Sequence, residues 1–193
     1  MDRFVVRPGG ALSGTVQVYG AKNSVLKLMA ASLLSPGHHH LANVPDIVDV
    51  SIMADILAAM GAAAEHSGSG TDGVLDIVVP ETITPVAPYE LVEKMRASIV
   101  VLGPLLARYG RARVSLPGGD DFGARPIDFH LRAFEDLGVV FTTDHGYIEG
   151  RCDRLVGTRI VLEFPSHTAT DNVLMAAVLA KGTTVLENAA REP

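Results

Sequence analysis

The alternation of apolar and polar residues predicts short strands separated by helices that bury one face. Residues 4–6 and 12–18 alternate in the way typical of strands, with Pro-Gly-Gly at 8–10 as the turn between them. Residues 22–33 follow a helical period instead, because their apolar side chains recur at three- and four-residue spacing. That spacing predicts one apolar face, made of Val25, Leu28, Met29, Ala31 and Leu33.

The same order of elements returns three times, so an internal repeat is the strongest architectural signal in the chain. Residues 31–46, 104–118 and 177–191 each indicate a helix end, a turn and a strand. Each turn is placed at a glycine, namely Gly37, Gly110 and Gly182. We therefore predict a separate strand hairpin at residues 1–21, followed by repeat units at about 22–85, 86–155 and 156–193.

The first two units continue beyond this shared half. Each has a second amphipathic helix, at residues 49–60 and 128–137, which ends at a glycine and leads into further strands. The third unit reaches Pro193 where its second helix is expected to begin. An apolar face should then lack cover, so the pattern predicts a mixed α/β fold whose third unit is incomplete.

Linker segments between the units suggest no chemistry. Residues 66–73 are rich in glycine and serine and predict a flexible hairpin tip before a strand at 74–79. Pro88 opens a predicted helix that carries Arg96 into the apolar run 99–106. At that position Arg96 is either a snorkelling surface arginine or an arginine that faces a ligand.

Composition is typical of a globular protein with a substantial core. Of the 193 residues, 48% are hydrophobic and 20% are charged, which excludes disorder for most of the chain. The net charge of −6 argues against binding to nucleic acid or to a membrane surface. The single Cys152 cannot form an internal disulfide, and neither a leader nor a bilayer-length apolar run is visible, so a cytoplasmic location is expected.

The segment 115–130 combines glycines, carboxylates and a cation more densely than any other. Its glycines permit a tight exposed loop that carries Asp120 and Asp121. Arg125 precedes Pro126, whose fixed φ suits the first turn of a helix, so a guanidinium and free N–H groups would converge on one anion. The alternative is a surface loop with a helix cap, in which Asp120 is simply solvated.

Further candidates lie at other helix starts. Lys22 and Asn23 lie where the first helix begins, next to unpaired N–H groups that favour phosphate, although a solvated lysine remains the alternative. Ser166 offers a hydroxyl near the start of the third unit's helix. His130 either caps its own helix or contacts a ligand.

Metal, cofactor and thiol chemistry are not predicted. His38-His-His40 lacks an accompanying cluster of carboxylates or cysteines in the sequence, and side chains of a strand alternate between faces, so a solvated strand is expected. The chain contains no P-loop or Rossmann fingerprint. Cys152 is interpreted as an incidental thiol.

Four separated motifs, in order, resemble those of UDP-N-acetylglucosamine enolpyruvyl transferases. They are Gly-Ala-Lys-Asn at 20–23, Lys-Met-Arg-Ala-Ser at 94–98, the loop from Pro117 to His130, and Glu-Asn-Ala-Ala-Arg-Glu-Pro at 187–193. The resemblance covers this chain from end to end but only about half of such an enzyme. It implies transfer of enolpyruvate from phosphoenolpyruvate to the 3-hydroxyl of UDP-N-acetylglucosamine, the first committed step of peptidoglycan synthesis.

The resemblance also implies an architecture and roles for individual residues. The fold would be one lobe of an inside-out α/β barrel built from βαβαββ units, with residues 1–21 packed against a second, C-terminal lobe. Asp120 would donate a proton, while Lys22 and Arg125 would bind the phosphate, with no metal or cofactor. Substrate contacts are implied for Lys22, Asn23, Arg96, Arg125, Pro126, Ile127, Asp128, Phe129, His130, Phe164, Pro165, Ser166 and His167.

Two positions depart from the family's pattern. His167 and Thr168 stand where a small apolar residue and a glycine are usual, so an acceptor that is another nucleotide or a shikimate-like hydroxy acid stays open. Asp120 stands where many relatives carry a cysteine proton donor; a carboxyl can do the same work if its pKa is raised, and resistance to fosfomycin is implied. The chain alone should be inactive, and a non-catalytic binding module is a further alternative.

Overall fold

Three sheets, each followed or preceded by helices, make up the molecule; the computed structural model describes residues 3–115 and 127–191. In the first unit, α1 (Lys22–Ala31) leads into a three-stranded antiparallel sheet in the order β1-β3-β2. The helix α2 (Val48–Met60) connects β1 to β2. The strands are β1 (Gly37–Ala42), β2 (Ala63–Ser67) and β3 (Val74–Val79).

The second unit repeats this plan with one additional strand. Its sheet has the order β4-β5-β7-β6, in which β4 runs parallel to β5 and the other pairs are antiparallel. The strands are β4 (Val86–Ala87), β5 (Arg111–Ser115), β6 (Val140–Asp144) and β7 (Tyr147–Arg151). The helices are α3 (Tyr89–Val92), α4 (Leu102–Tyr109) and α5 (Asp128–Asp136).

The third unit shows the first half of the same plan. The strand β8 (Arg159–Val161) pairs in parallel with β9 (Val185–Glu187), and α6 (His167–Ala177) connects them. The parallel β8-β9 pair corresponds to β4-β5, and the order β1-β3-β2 corresponds to β5-β7-β6. Among the strands that the structure describes, β1 pairs with β3 alone, whereas β5 and β9 each have a parallel neighbour.

Backbone angles at the predicted turns support the repeat. Gly37, Gly110 and Gly182 have φ values of 128°, 64° and 93°, a region that favours glycine because it has no Cβ. Asn43 and Asn188, just after β1 and β9, share φ values of 56° and 54°. The prediction of repeated units in a mixed α/β fold is confirmed.

The prediction of one continuous helix from Pro88 through the apolar run 99–106 is wrong. It is divided into α3, a 3-10 helix at Arg96–Val101 and α4, and Met95 between them is extended with a φ of −148°. The buried Ser98 hydroxyl donates to the Met95 carbonyl over 2.6 Å. A serine that bonds to a nearby carbonyl offers the backbone an alternative to the regular helical ladder.

The strand hairpin predicted before α1 is not formed in the structure. Residues 3–20 contain no strand, and the side chains of Phe4 and Leu12 are fully exposed. Alternation yields a strand only where a partner strand and an apolar surface cover one face, and two strands alone are marginal in water. The packing of residues 1–21 against a second lobe stays a prediction.

The core lies between the helices and the sheets. The largest fully buried side chains include Phe134, Met29, Met53 and Leu102, which come from four different helices. In α1 the buried face is Val25, Leu26, Met29 and Ala30, so the predicted contribution of Leu28 is wrong: Leu28 is 53% exposed. None of the helices in the described ranges is long and apolar enough to cross a membrane.

Candidate active site

The start of α1 presents a cation and unpaired backbone donors together. Ala21, the residue before the helix, is extended, and no side chain caps the first N–H groups. The Lys22 ammonium lies 2.5 Å from the Asp49 carboxylate, which belongs to the first turn of α2. Asn23 is exposed beside it. This corner can bind a small anion, provided that the anion competes with Asp49 for Lys22.

A cavity of about 380 Å³ opens from this corner and brings together residues from all three units. Lys22, Lys94 and Arg96 give its described lining three cations, against the single carboxylate of Asp49. A molecule with a net charge of −6 therefore has a locally cationic cavity. The predicted site residues found in its lining are Lys22, Asn23, Arg96, Ile127, His130 and His167.

His130 is the buried polar group of the cavity, with 2% of its surface exposed. The Asn172 amide nitrogen lies 3.2 Å from Nδ1 of His130, and it also donates to the Ile99 carbonyl over 3.0 Å. Burial, and secondarily the positive charge of Arg96, lowers the pKa of His130 to about 4. The ring is therefore neutral at pH 7, and because Nδ1 accepts a hydrogen bond, Nε2 carries the proton.

The start of α6 continues this network. Thr168 Oγ1 lies 3.5 Å from Nε2 of His130 and 3.2 Å from the Ser166 hydroxyl. Ser166 caps α6, since its hydroxyl oxygen accepts the Ala169 N–H over 3.3 Å. The helix therefore begins with His167, which lies at the cavity.

Several predicted contacts lie elsewhere. Asp128 forms an ion pair of 3.3 Å with Arg132 on the same helix. The Phe129 ring lies beside that of His130, with 5.5 Å between centroids, but it lines a separate groove. Phe164 and Pro165 are exposed and line none of the cavities described above. Asp120, Arg125 and Pro126 lie outside the described residues, so their roles stay predictions.

The histidine run has a partner that the sequence does not suggest. His38 Nε2 and His40 Nδ1 lie 2.8 Å and 2.9 Å from the same carboxylate oxygen of Asp76, because strand pairing places Asp76 opposite His40. The hydrogen bond from His40 is the main cause that lowers the pKa of Asp76. Even so, no group of His, Cys, Asp or Glu within residues 3–115 and 127–191 has the geometry of a metal site.

Cys152 keeps its interpretation as an incidental thiol. Its side chain is partly buried, and this burial raises the pKa of the thiol, with a smaller contribution from Asp153. A raised pKa leaves less of the reactive thiolate at neutral pH. The structure therefore offers no reason to make Cys152 a nucleophile.

The sequence did not indicate the polar residues that pair with Lys22 and contact His167. Asp49 pairs with Lys22, and Lys27 of α1 pairs with Asp171 of α6. The Lys27 ammonium also lies 3.1 Å from Nδ1 of His167. The spacing of Lys27, one turn after Asn23, was the available signal, but it did not indicate which helix would pack opposite.

Comparison with known proteins gives consistent results. A family model for EPSP synthase (3-phosphoshikimate 1-carboxyvinyltransferase) matches residues 6–193. UDP-N-acetylglucosamine 1-carboxyvinyltransferase 2 of Carboxydothermus hydrogenoformans is 49% identical over 193 residues, and the UDP-N-acetylglucosamine 1-carboxyvinyltransferase of Corynebacterium efficiens is 50% identical over 192. Each alignment covers 100% of this chain but 45% of the relative, so the chain spans less than half of their length.

Solved structures show the same fold. The enolpyruvyl transferase NikO from Streptomyces tendae superposes with a TM-score of 0.75 at 25% identity, covering 92% of this chain and 41% of NikO. EPSP synthase from Acinetobacter baumannii superposes with a TM-score of 0.63 at 17% identity, over 93% of this chain. The family match, the relatives and the repeated units agree. The chain therefore belongs to the EPSP synthase family of carboxyvinyl transferases.

Proposed function

We propose that the chain is the N-terminal lobe of an enzyme that transfers enolpyruvate from phosphoenolpyruvate to the 3-hydroxyl of UDP-N-acetylglucosamine. The observation that carries this proposal is the cationic cavity in which Lys22, Arg96 and His130 meet. Both substrates are anions, and three cations outnumber the one carboxylate of the described lining. The relatives at 49% and 50% identity bear the name of this activity, which supports the same assignment.

The chemistry assigns separate tasks to the groups of this lobe. A general acid protonates the methylene carbon of phosphoenolpyruvate while the sugar hydroxyl attacks the neighbouring carbon and loses its proton to a base. A base then removes a proton from the methyl group so formed, and inorganic phosphate leaves as the double bond re-forms. Lys22 would release Asp49 and bind the phosphate instead. Arg125 would bind the same phosphate, and both cations would stabilise the charge that develops on it. Asp120 would be the acid.

The proposal extends to the role of the complete enzyme. It would act in the cytoplasm at the first committed step of peptidoglycan synthesis and thereby contribute to cell shape and division. Its substrates would be phosphoenolpyruvate and UDP-N-acetylglucosamine, without a cofactor, nucleic acid or membrane as partner. The remaining part of the relatives' length would supply the C-terminal lobe and the base. We call the polypeptide that contains both lobes the complete enzyme.

Phosphate release by the complete enzyme tests this assignment. UDP-N-acetylglucosamine should support turnover with phosphoenolpyruvate, and 3-phosphoshikimate should not. Lys22→Ala should lower the rate at least about tenfold, because it removes a charge-assisted hydrogen bond to the phosphate. Lys181→Ala, at an exposed lysine far along the chain, is the matched control and should keep the wild-type rate.

One result would contradict the proposed acceptor, and a different result would contradict the proposed anion site. Turnover with 3-phosphoshikimate, or with a different nucleotide in preference to UDP-N-acetylglucosamine, would show that His167 and Thr168 mark a changed acceptor. Unchanged turnover in Lys22→Ala would place the anion site outside the cavity.

A further inference from the structure

Lys27, Asp171 and His167 form a polar cluster between α1 and α6, which we call the α1–α6 cluster. The Lys27 ammonium forms an ion pair with Asp171 and lies 3.1 Å from Nδ1 of His167. Its side chain is 20% exposed, so the charge is largely removed from water. Asp171 is four residues after His167 on α6, which places both side chains on one face of that helix.

The chemistry of the ammonium fixes the protonation pattern of the imidazole. An ammonium group has three donors and no acceptor. Nδ1 of His167 must therefore accept the hydrogen bond from Lys27. The neutral ring then carries its proton on Nε2, so the free side of the ring is a donor. Asp171 holds the lysine in place, because its carboxylate can only accept.

His167 lies at the boundary of two spaces. It lines the cationic cavity of about 380 Å³, and it also lines a groove of about 790 Å³ that runs along α1 and α6. Lys22 and Asn23 line both spaces as well. No described residue accepts a hydrogen bond from Nε2 of His167. A ligand that occupies both the cavity and the groove therefore lies against His167.

We propose that Lys27 and Asp171 are positioning residues that hold His167 as an Nε2–H donor to the diphosphate of the nucleotide acceptor. This inference rests on the proposed function. Phosphoenolpyruvate is small enough for the cavity alone, whereas a sugar nucleotide requires space of the size that cavity and groove provide together. Lys22 and Arg96 line the same cavity as His167, and their positive charges favour an anionic ligand there. The Nε2–H group would in addition orient the bound anion, because a hydrogen bond prefers a nearly linear arrangement of donor, hydrogen and acceptor.

Nitrogen NMR of the imidazole tests the positioning in the 193-residue chain, without any substrate. Long-range proton–nitrogen correlations distinguish the two tautomers of a neutral histidine. Wild-type His167 should show the Nε2–H form, and Lys27→Met should give a mixture because the donor to Nδ1 is lost. Lys181→Met is the matched control and should leave the wild-type spectrum. An Nδ1–H tautomer in the wild type would overturn the inference.

Kinetics of the complete enzyme test the role in substrate selection. Lys27→Met and Asp171→Asn should each raise the KM for UDP-N-acetylglucosamine about tenfold, while the KM for phosphoenolpyruvate stays within about twofold. His167→Gln should keep most of the affinity, because its amide nitrogen lies near the place of Nε2. His167→Asn should lose it, because its amide lies near the place of Nδ1.

A double-mutant cycle separates positioning from general stability. Adding Lys27→Met to His167→Ala should change the KM no further, since the group that Lys27 positions is already gone. A full additional loss, or an equal rise in both KM values, would show a structural role and overturn the inference. If the complete enzyme rejects UDP-N-acetylglucosamine while the NMR result holds, the proposed function fails but the positioning of His167 stands.

Discussion

Burial of His130 gives the molecule a defined response to acid. Because the pKa of His130 in the folded state is about 4, below the ordinary value of 6.5, the unfolded chain takes up a proton between these values and the folded chain does not. Stability should fall as the pH is lowered through that window and level off below it. Within that window, the titration of His130 should lower the free energy of unfolding by up to about 1.4 kcal/mol per pH unit.

Urea unfolding at pH 7, 6, 5 and 4 measures this response. His130→Asn should flatten the dependence, since its amide oxygen can still accept from Asn172 but does not titrate. His145→Asn, at an exposed histidine, is the matched control and should follow the wild type. Equal slopes for wild type and His130→Asn would show that His130 is not held neutral.

Asp120 carries a second prediction at the scale of one residue. Fosfomycin alkylates a thiolate in the relatives that have cysteine there, and a carboxylate is a much poorer nucleophile at carbon. The complete enzyme should therefore resist the inhibitor. Under the proposed role of Asp120 as the general acid, Asp120→Asn should abolish turnover because an amide cannot supply the proton, whereas Asp120→Cys should remain active and become sensitive.

Phosphate release with and without fosfomycin compares these three proteins. Mass spectrometry should find no adduct on Cys152, whose raised pKa disfavours the reactive form. Full activity in Asp120→Asn would remove Asp120 from the mechanism and direct attention to Asp121.

At the residue scale, the sequence indicated the cationic side of the site but not its counter-charges. Lys22 and Arg96 could be proposed because motif and helix position suggest a ligand. Asp49 and Asp171 resemble ordinary helical carboxylates in sequence, and only the packing of α2 against α1 and of α6 against α1 brings them to their lysines. Long-range ion pairs carry no local pattern, so neither could be predicted.

At the element scale, Asn172 connects the central helices. It is fully buried on α6, its amide oxygen accepts the Gly103 N–H of α4 over 2.7 Å, and its nitrogen donates to the Ile99 carbonyl of the 3-10 helix. Asn172→Leu should lower the free energy of unfolding by about 2 to 4 kcal/mol, because the buried Gly103 N–H and the buried Nδ1 of His130 lose their partner.

Denaturant unfolding of the chain checks this prediction. Thr143→Leu, at an exposed position of β6, is the control and should change stability by less than about 0.5 kcal/mol. A loss of similar size in both variants would mean that Asn172 does not connect the helices as described.

Helix ends were predictable where glycine imposes them and not where side chains act at a distance. Gly61 and Gly138 end α2 and α5 as expected, with φ values of 106° and 98°. At the division near Met95 the hydroxyl of Ser98 donates to the Met95 carbonyl, and the sequence does not indicate which carbonyl a serine within an apolar run will bind. The repeat was predictable because the same order of helix end, glycine turn and strand occurs three times in the sequence.

At the scale of the whole molecule, this chain should bind anions but release no phosphate. Under the proposed function, a closed site would need groups from the rest of the enzyme, since the chain spans 45% of the length of its relative. The 193-residue chain should give no phosphate from phosphoenolpyruvate and UDP-N-acetylglucosamine under conditions in which the complete enzyme turns over. Detectable release by the chain alone would show that one lobe suffices.

The edge of the first sheet has a practical consequence for anyone who handles this chain in isolation. A strand with one free side presents backbone N–H and C=O groups to any extended peptide, including another copy of the same chain. β1 is six residues long and, among the described strands, is covered on one side alone. Concentrated solutions should therefore tend to associate through strand addition, and solubility rather than folding should limit work with the isolated chain.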